Sequence, residues 1–279
     1  MKISEIIAKI KDNSKGEWMG NKIDPKTTRD QILYGDPDQE CTGVVVTLFA
    51  SADVIRRARE LGANFIIVHE ALFWNHGDHT DWLIYNRTYK EKIKLLGDMC
   101  VWRDHDYIHS GINMNGEYRD GIFVGLMKEL EWEDYLVSSY EMPRQFRIPK
   151  TSVRQLSEHL MDKIGLSGIK YMGDVEGTAE NIYITSHIIG PVDNKETSFI
   201  EENDIDTVLA MEITDFTVSE YIRDSAMLGL NKRVLACGHF NLEEPGMKFF
   251  AEYLKDLFGS EFRIDFVKSG EAFSFISRS

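Results

Sequence analysis

Three short segments of this sequence gather imidazoles and carboxylates, the side chains that hold divalent metals. The first is His69-Glu70-Ala71-Leu72-Phe73, directly after an apolar run. Adjacent residues leaving a strand point in different directions, so His69 and Glu70 could face two ions rather than chelate one. The second is Trp102-Arg103-Asp104-His105-Asp106-Tyr107-Ile108-His109, the densest ligand-type cluster in the chain, with two histidines four apart. The third is Cys237-Gly238-His239-Phe240-Asn241-Leu242-Glu243-Glu244. Its glycine permits a sharp turn, and the four-residue spacing of His239 and Glu243 places them on one side of a helical turn. Any one segment alone reads better as a solvated polar loop. Three of them, each just past an apolar strand-like run, are harder to dismiss, because open α/β sheets bind ligands beyond the carboxyl ends of their strands.

The elements that would position these residues alternate between strand and helix patterns, which predicts a mainly parallel sheet covered by helices. Residues 43–49 (GVVVTLF) read as a buried strand. Ser51 is the expected N-cap of a helix over 52–61, with Gly62 just past its end. Strands follow at 63–68 and 99–102, separated by a helix over 85–96, and 120–130 reads as another helix. The middle of the chain reads as a second lobe. Its signals are Pro143 and Pro149, a helix capped at Thr151 or Ser152 and closed by Gly165, and strands at 169–172, 181–185 and 207–210. A helix over 217–228, a strand at 233–237, a helix after Pro245 ending at Gly259 and a strand at 263–267 complete the pattern. No fixed-period repeat or low-complexity tract occurs.

Composition narrows the classes. Of 279 residues, 32 are Lys or Arg and 46 are Asp or Glu, a formal net charge of −14 that disfavours binding to phosphate backbones. The apolar runs are too short to span a bilayer, and the opening Met1-Lys2-Ile3-Ser4-Glu5 lacks the apolar core of a secretory signal. Three widely spaced cysteines suggest reduced thiols, so a cytoplasmic location is expected. No phosphate-binding glycine loop ending in Lys-Ser or Lys-Thr occurs, nor a Gly-x-Ser-x-Gly elbow.

With these segments in place, the chain resembles the dinuclear-metal-centre family named after the yeast NGG-interacting factor three, whose members are also called GTP cyclohydrolase I type 2 homologues. The resemblance spans nearly the whole sequence. It rests on GVVVTLFASADVIRRARELGANFIIVHE, on HDYIHSG…YRDGI and on ACGHFNLEEPG. The resemblance implies an α/β fold of two interlocked lobes with mainly parallel or mixed sheets and a metal site in the cleft between them. The expected division is a first lobe over 1–132, a second over 133–215, and a return to the first over 216–279 carrying the last ligands. It further implies two divalent ions per chain (Zn, Mn, Fe or Co) held by His69, Glu70, His109, His239 and Glu243, with His105 as a further ligand or supporting partner.

This sequence departs from the family pattern in an ordered way. Glu70 stands where the family has a second histidine, and His109 where it has an aspartate. The two changes mirror one another and keep three imidazoles and two carboxylates, which preserves the charge that offsets repulsion between two dications. Phe49 stands where the family commonly has an aspartate. The activity implied is metal-dependent hydrolysis of a small nucleotide-like or phosphorylated molecule, with a non-catalytic metal-binding scaffold as the alternative. A homohexamer is the implied assembly. Glu244, Asp106 and Glu212 are candidates for proton transfer. His76, His79 and His159 read as solvated, Cys237 as a core residue, and His187 as a strand end without a metal role.

Overall fold

The computed structural model describes residues 1–83, 85–185 and 194–276; His187 lies outside the described residues. The chain divides into two units, one formed by residues 1–125 and 246–269, the other by 126–245 and 270–279.

The first unit opens with α1 (Ile3–Asp12), whose Ile3, Ile6, Ile7 and Ile10 form a buried stripe at helical spacing. A short hairpin of β1 (Glu17–Trp18) and β2 (Asn21–Lys22) follows, then β3 (Ile32–Tyr34). The sheet is built on β4 (Val44–Thr47), β5 (Phe65–Val68) and β6 (Cys100–Arg103), in which every residue is buried. Such continuously buried strands suit a sheet covered on both faces. Between them run α2 (Ala52–Glu60) and α3 (Arg87–Leu96). The Ser51 hydroxyl accepts the Val54 N–H, the expected N-cap of α2, and Gly62 takes the positive φ of 72° that ends it. Val45, Ile66, Val68 and Val101 pack with Val54, Ile55, Ala58 and Leu96 in one core.

After β6 come α4 (Asp106–Ser110), a hairpin of β7 (Ile112–Met114) and β8 (Glu117–Arg119), and α5 (Gly121–Glu129). In the second unit, β9 (Gln145–Ser152) leads into α6 (Val153–Ile164), capped by the Ser152 hydroxyl and closed by Gly165 in the left-handed conformation. Then come β10 (Lys170–Gly173), β11 (Thr178–Ile184), α7 (Asn194–Glu202), β12 (Thr207–Ala210), α8 (Val218–Met227) and β13 (Arg233–Ala236). Their sheet has the order β10-β13-β12-β11-β9. Its three central strands run parallel and both edges antiparallel. Ile200, Ile205, Val208, Val218, Ile222 and Val234 form its core.

Finally α9 (His239–Phe258) precedes β14 (Ile264–Phe266), which completes the first sheet in the order β14-β4-β5-β6-β3. All its pairings are parallel except that of β3 with β6. The mixed α/β architecture matches expectation, but several boundaries differ: the first unit ends at residue 125 rather than 132, and His239, Glu243 and residues 270–279 belong to the second unit. The return to the first unit starts at Gly246 rather than residue 216, because β13 pairs with β12 and β10 in the second sheet. The last helix starts at His239 rather than after Pro245, which lies inside it. Among the described residues no helix is long and apolar enough to cross a membrane.

Candidate metal centre

Strands β5 and β6 are parallel neighbours with Val68 opposite Arg103, so the residues that follow them emerge side by side at the carboxyl end of the sheet. His69 leaves β5 there and His105 leaves β6. One turn of α4 then carries His109 back to the same place. One ring nitrogen from each of His69, His105 and His109 lies within 4.8 Å of the others. The rings of His69 and His105 stack at 4.7 Å between centroids, and His109 meets both edge-on at 5.0 and 5.4 Å. Trp18 closes one side, stacked on His109 at 5.9 Å.

Each ring is held through the same atom. His69 Nδ1 lies 2.9 Å from the Asp104 carbonyl oxygen, His105 Nδ1 lies 2.8 Å from Asp106 Oδ1, and His109 Nδ1 lies 2.9 Å from Asp120 Oδ2. A carbonyl or ionised carboxylate oxygen only accepts, so each Nδ1 carries the proton and each Nε2 carries a lone pair. That is the arrangement in which metal-binding histidines are oriented by oxygen partners behind them. Burial pushes His105 down to about 3, which keeps it in the neutral form that metals require.

The backing carboxylates are fixed in turn. Asp30, buried, accepts the backbone N–H groups of His105 and Asp106, setting the path from β6 into α4. Burial raises Asp106, but hydrogen bonds from His105, the Thr28 hydroxyl and the Arg29 N–H outweigh it and hold its carboxyl below the usual range. Asp120 accepts the Ile122 and Phe123 N–H groups through Oδ1, so it caps α5 with one oxygen and steadies His109 with the other. Asp30 and Asp104 are both pushed up, chiefly by burial.

Glu70 stands apart from the imidazole trio. Its carboxylate is 3.8 Å from both Arg103 Nη2 and His76 Nδ1. Arg103, fully buried, donates to the His69 and His76 carbonyls and to Asp78, pinning the loop after β5. His76 thus belongs to the Arg103 network, and His159 bonds the Leu130 carbonyl far along the chain.

In the second unit, Gly238 turns the chain between β13 and α9 with φ of +96°, a conformation that suits glycine. His239 then begins the helix, and His239 Nε2 lies 2.9 Å from the buried Glu243 carboxylate one turn on. Its Nδ1 is bonded to Glu212, which follows β12. His239 therefore also has an oxygen behind Nδ1, with Nε2 facing a carboxylate of ligand type. Of the proton-transfer candidates, Asp106 and Glu212 are bonded to histidines, and Glu244 accepts the Gly270 N–H.

These donors fit a divalent ion. Three neutral nitrogens within 4.8 Å need close by only about an ångström to reach the roughly 3.4 Å separation of nitrogens bound at about 2.0–2.1 Å in a tetrahedron. His69, His105 and His109 are brought together, as are His239 and Glu243; Glu70 is not part of the trio. Sequence reasoning missed Trp18, Asp30 and Arg103 as supports. It also missed the second role of Asp120, which its position just before an apolar helical run could have revealed as a cap.

Comparison with known proteins identifies the family and the fold. The family model described as Duf34/NIF3 (NGG1p interacting factor 3) matches residues 1–272. A Clostridium perfringens protein named GTP cyclohydrolase 1 type 2 homolog is 24% identical over 247 residues, covering 86% of this chain and 87% of that one. Among solved structures, a Bacillus cereus protein related to NIF3 is similar with a TM-score of 0.71 and 12% identity, covering 100% of this chain and 99% of its own. The Staphylococcus aureus hypothetical protein SA1388 has a TM-score of 0.71 and 15% identity, with 99% of each chain covered. At these identities the structural likeness speaks for the fold alone.

Proposed function

This chain belongs to the Duf34/NIF3 family, and we propose that it is a divalent-metal-dependent hydrolase acting on a small nucleotide-like or phosphorylated molecule. The observation that carries the reading is the trio His69, His105 and His109, two buried imidazoles and one half-buried, whose Nδ1 atoms are each tied to an oxygen. One ring nitrogen of each lies within 4.8 Å of the others, which is the donor set of an imidazole metal site.

Bound divalent ions supply Lewis-acid polarisation of a phosphoryl or carbonyl oxygen. The chain supplies the rest. His69, His105 and His109 hold one ion, while Asp106, Asp120 and the Asp104 carbonyl keep the rings aimed. The sequence resemblance adds Glu70, His239 and Glu243 to the ligands of the two ions, and Glu212 lies behind His239. Imidazole and carboxylate donors without thiolate suit Zn, Mn, Fe or Co. The relative's cyclohydrolase name supports a nucleotide-like substrate by analogy. A homohexamer in the cytoplasm completes the reading, supported by the family resemblance and by the absence of a membrane-length helix among the described residues.

The test is elemental analysis of the purified protein, then a panel of nucleotides and phosphoesters with the metal present and after chelation. Metal-dependent turnover of a panel member is the expected result. Full metal occupancy without turnover on any member would make the chain a metal-binding scaffold. Absence of bound metal at saturating supply would remove both readings.

A further inference from the structure

A second nitrogen in the first unit is buried in an unusual setting. Lys92 lies on the inward face of α3, only 6% exposed. Its Nζ donates to the Leu72 carbonyl at 2.7 Å and lies over the rings of Phe49, Trp74 and Phe73 at 4.4, 5.5 and 5.7 Å. Among the described residues no carboxylate pairs with it: the neighbouring Glu91 pairs with Lys94 instead. Lysines are almost never fully buried unless paired, so the position asks for an explanation.

Lys92 also forms part of the wall of a cleft of about 520 Å³ whose lining includes Phe49, Trp74, Arg56, Glu91 and Lys94. Besides Lys92, two cationic side chains and a single carboxylate face this space, Arg56 paired with the exposed Asp53 and Lys94 with Glu91. Phe49 and the half-exposed Trp74 offer flat apolar walls, while Arg56 and Lys94 stand at the solvent side. We propose that Lys92 is the nucleophile of a reactive site that captures a small anionic aldehyde or ketone as an imine.

The chemistry follows from the surroundings. Burial without a counter-charge pushes Lys92 down to about 7, so a large share of it is uncharged amine at neutral pH. The Leu72 carbonyl occupies one N–H, which leaves the lone pair to be directed elsewhere. That pair attacks the carbonyl carbon while the carbon–oxygen π pair moves to oxygen. The two amine protons pass to that oxygen, which leaves as water as the C=N bond forms. Amine plus carbonyl thus gives imine plus water, and nothing is oxidised or reduced. Arg56 and Lys94 would hold an anionic group on the ligand, and the aromatic walls would hold its apolar body.

The test uses the full chain with pyridoxal 5′-phosphate, an aromatic aldehyde bearing an anion, at limiting concentration and neutral pH. Borohydride reduction fixes any imine, and peptide mass spectrometry reads its position. Lys92 is expected to be modified at least about tenfold ahead of Lys90 and Lys94, exposed or half-exposed lysines on the same helix. Pyridoxal, which lacks the phosphate, is expected to react several-fold more slowly. Modification of Lys92 no faster than its helical neighbours, or only after unfolding, would overturn the proposal. Equal rates for the two aldehydes would overturn the anionic class of ligand. Lys92→Met, checked for its fold by circular dichroism, should lose the modified peptide.

Discussion

The imidazole trio and the Lys92 cleft belong to the same unit, yet they keep a buried nitrogen neutral by opposite means. At the trio every ring N–H is given an oxygen: the Asp104 carbonyl, Asp106 or Asp120. At Lys92 the amine receives one carbonyl and otherwise only ring faces. The first arrangement fixes direction, so the lone pairs converge, which suits coordination. The second leaves the amine without a charge partner, which favours reactivity. Burial alone therefore does not define a function. The number and placement of acceptors behind the nitrogen decide whether it becomes a ligand or a nucleophile.

The strongest way to break this comparison is to delete a member of the trio. His69→Ala or His105→Ala is expected to abolish binding of the ion held there, read as lost metal by elemental analysis, with the far-ultraviolet spectrum unchanged. His239→Ala should leave that ion in place, since its carboxylate partners Glu212 and Glu243 lie in the second unit. If His69→Ala kept its full metal content, the trio would be no more than a polar core.

The next effect concerns Lys92 and carries a defined sign. Its folded value of about 7 lies below its ordinary 10.5. Between those pH values the unfolded chain binds a proton that the folded chain lacks, so stability rises with pH across that window. Below pH 7 both states are protonated and the cost of burying the charge is complete, about 5 kcal/mol. Lys92→Met should thus be more stable than the parent at pH 6, less the lost Leu72 hydrogen bond. Urea unfolding at several pH values should show the gap closing toward pH 10. A pH-independent gap would mean that Lys92 stays charged.

A smaller change tests whether direction matters at the trio. Asp120→Asn keeps an oxygen to cap α5 but no longer offers His109 an anion. Metal affinity should fall by about 10–100-fold, the usual cost of removing a partner behind a ligand, measured by competition with a chelator. An unchanged affinity would mean that His109 needs no anchoring. The smallest effect expected is at Phe49. Its ring face favours the ammonium form by about 0.5–2 kcal/mol, so Phe49→Leu should lower the Lys92 titration midpoint by up to about 1.5 units. Nitrogen-detected NMR of the Lys92 Nζ would read it, and an upward shift would contradict the ring's assigned role.

Much of this site was legible because strand ends announce themselves. The runs before His69 and before Arg103 are continuously apolar and are followed at once by polar residues, and Gly238 marks the turn into His239. The supports were not legible, since they reach across long stretches of chain. Asp30 bonds the His105 N–H from 75 residues away, and no local pattern encodes that pairing. The apparent exchange between Glu70 and His109 was read from residue types alone. In the structure His109 stands with the other imidazoles while Glu70 lies beside Arg103, because one turn of α4 and the strand end at β5 aim them differently. Lys92 was hidden by its own type. A lysine in an amphipathic helix reads as solvent-facing, yet it shares the face of Tyr89 and Leu96.

The pairing of β14 with β4 has a consequence for the order in which the molecule can be made. Ile264 hydrogen-bonds beside Val44, some 220 positions earlier. On the ribosome, β4, β5 and β6 and all the strands of the second sheet emerge before β14 exists. Through that interval the outer edge of β4 presents a row of backbone donors and acceptors with no neighbour, the surface on which chains pair wrongly. The second sheet has no such delay, because its five strands span only residues 145–236. Nascent chains halted before residue 264 should therefore protect the amides of the second sheet from hydrogen exchange well before those of β4.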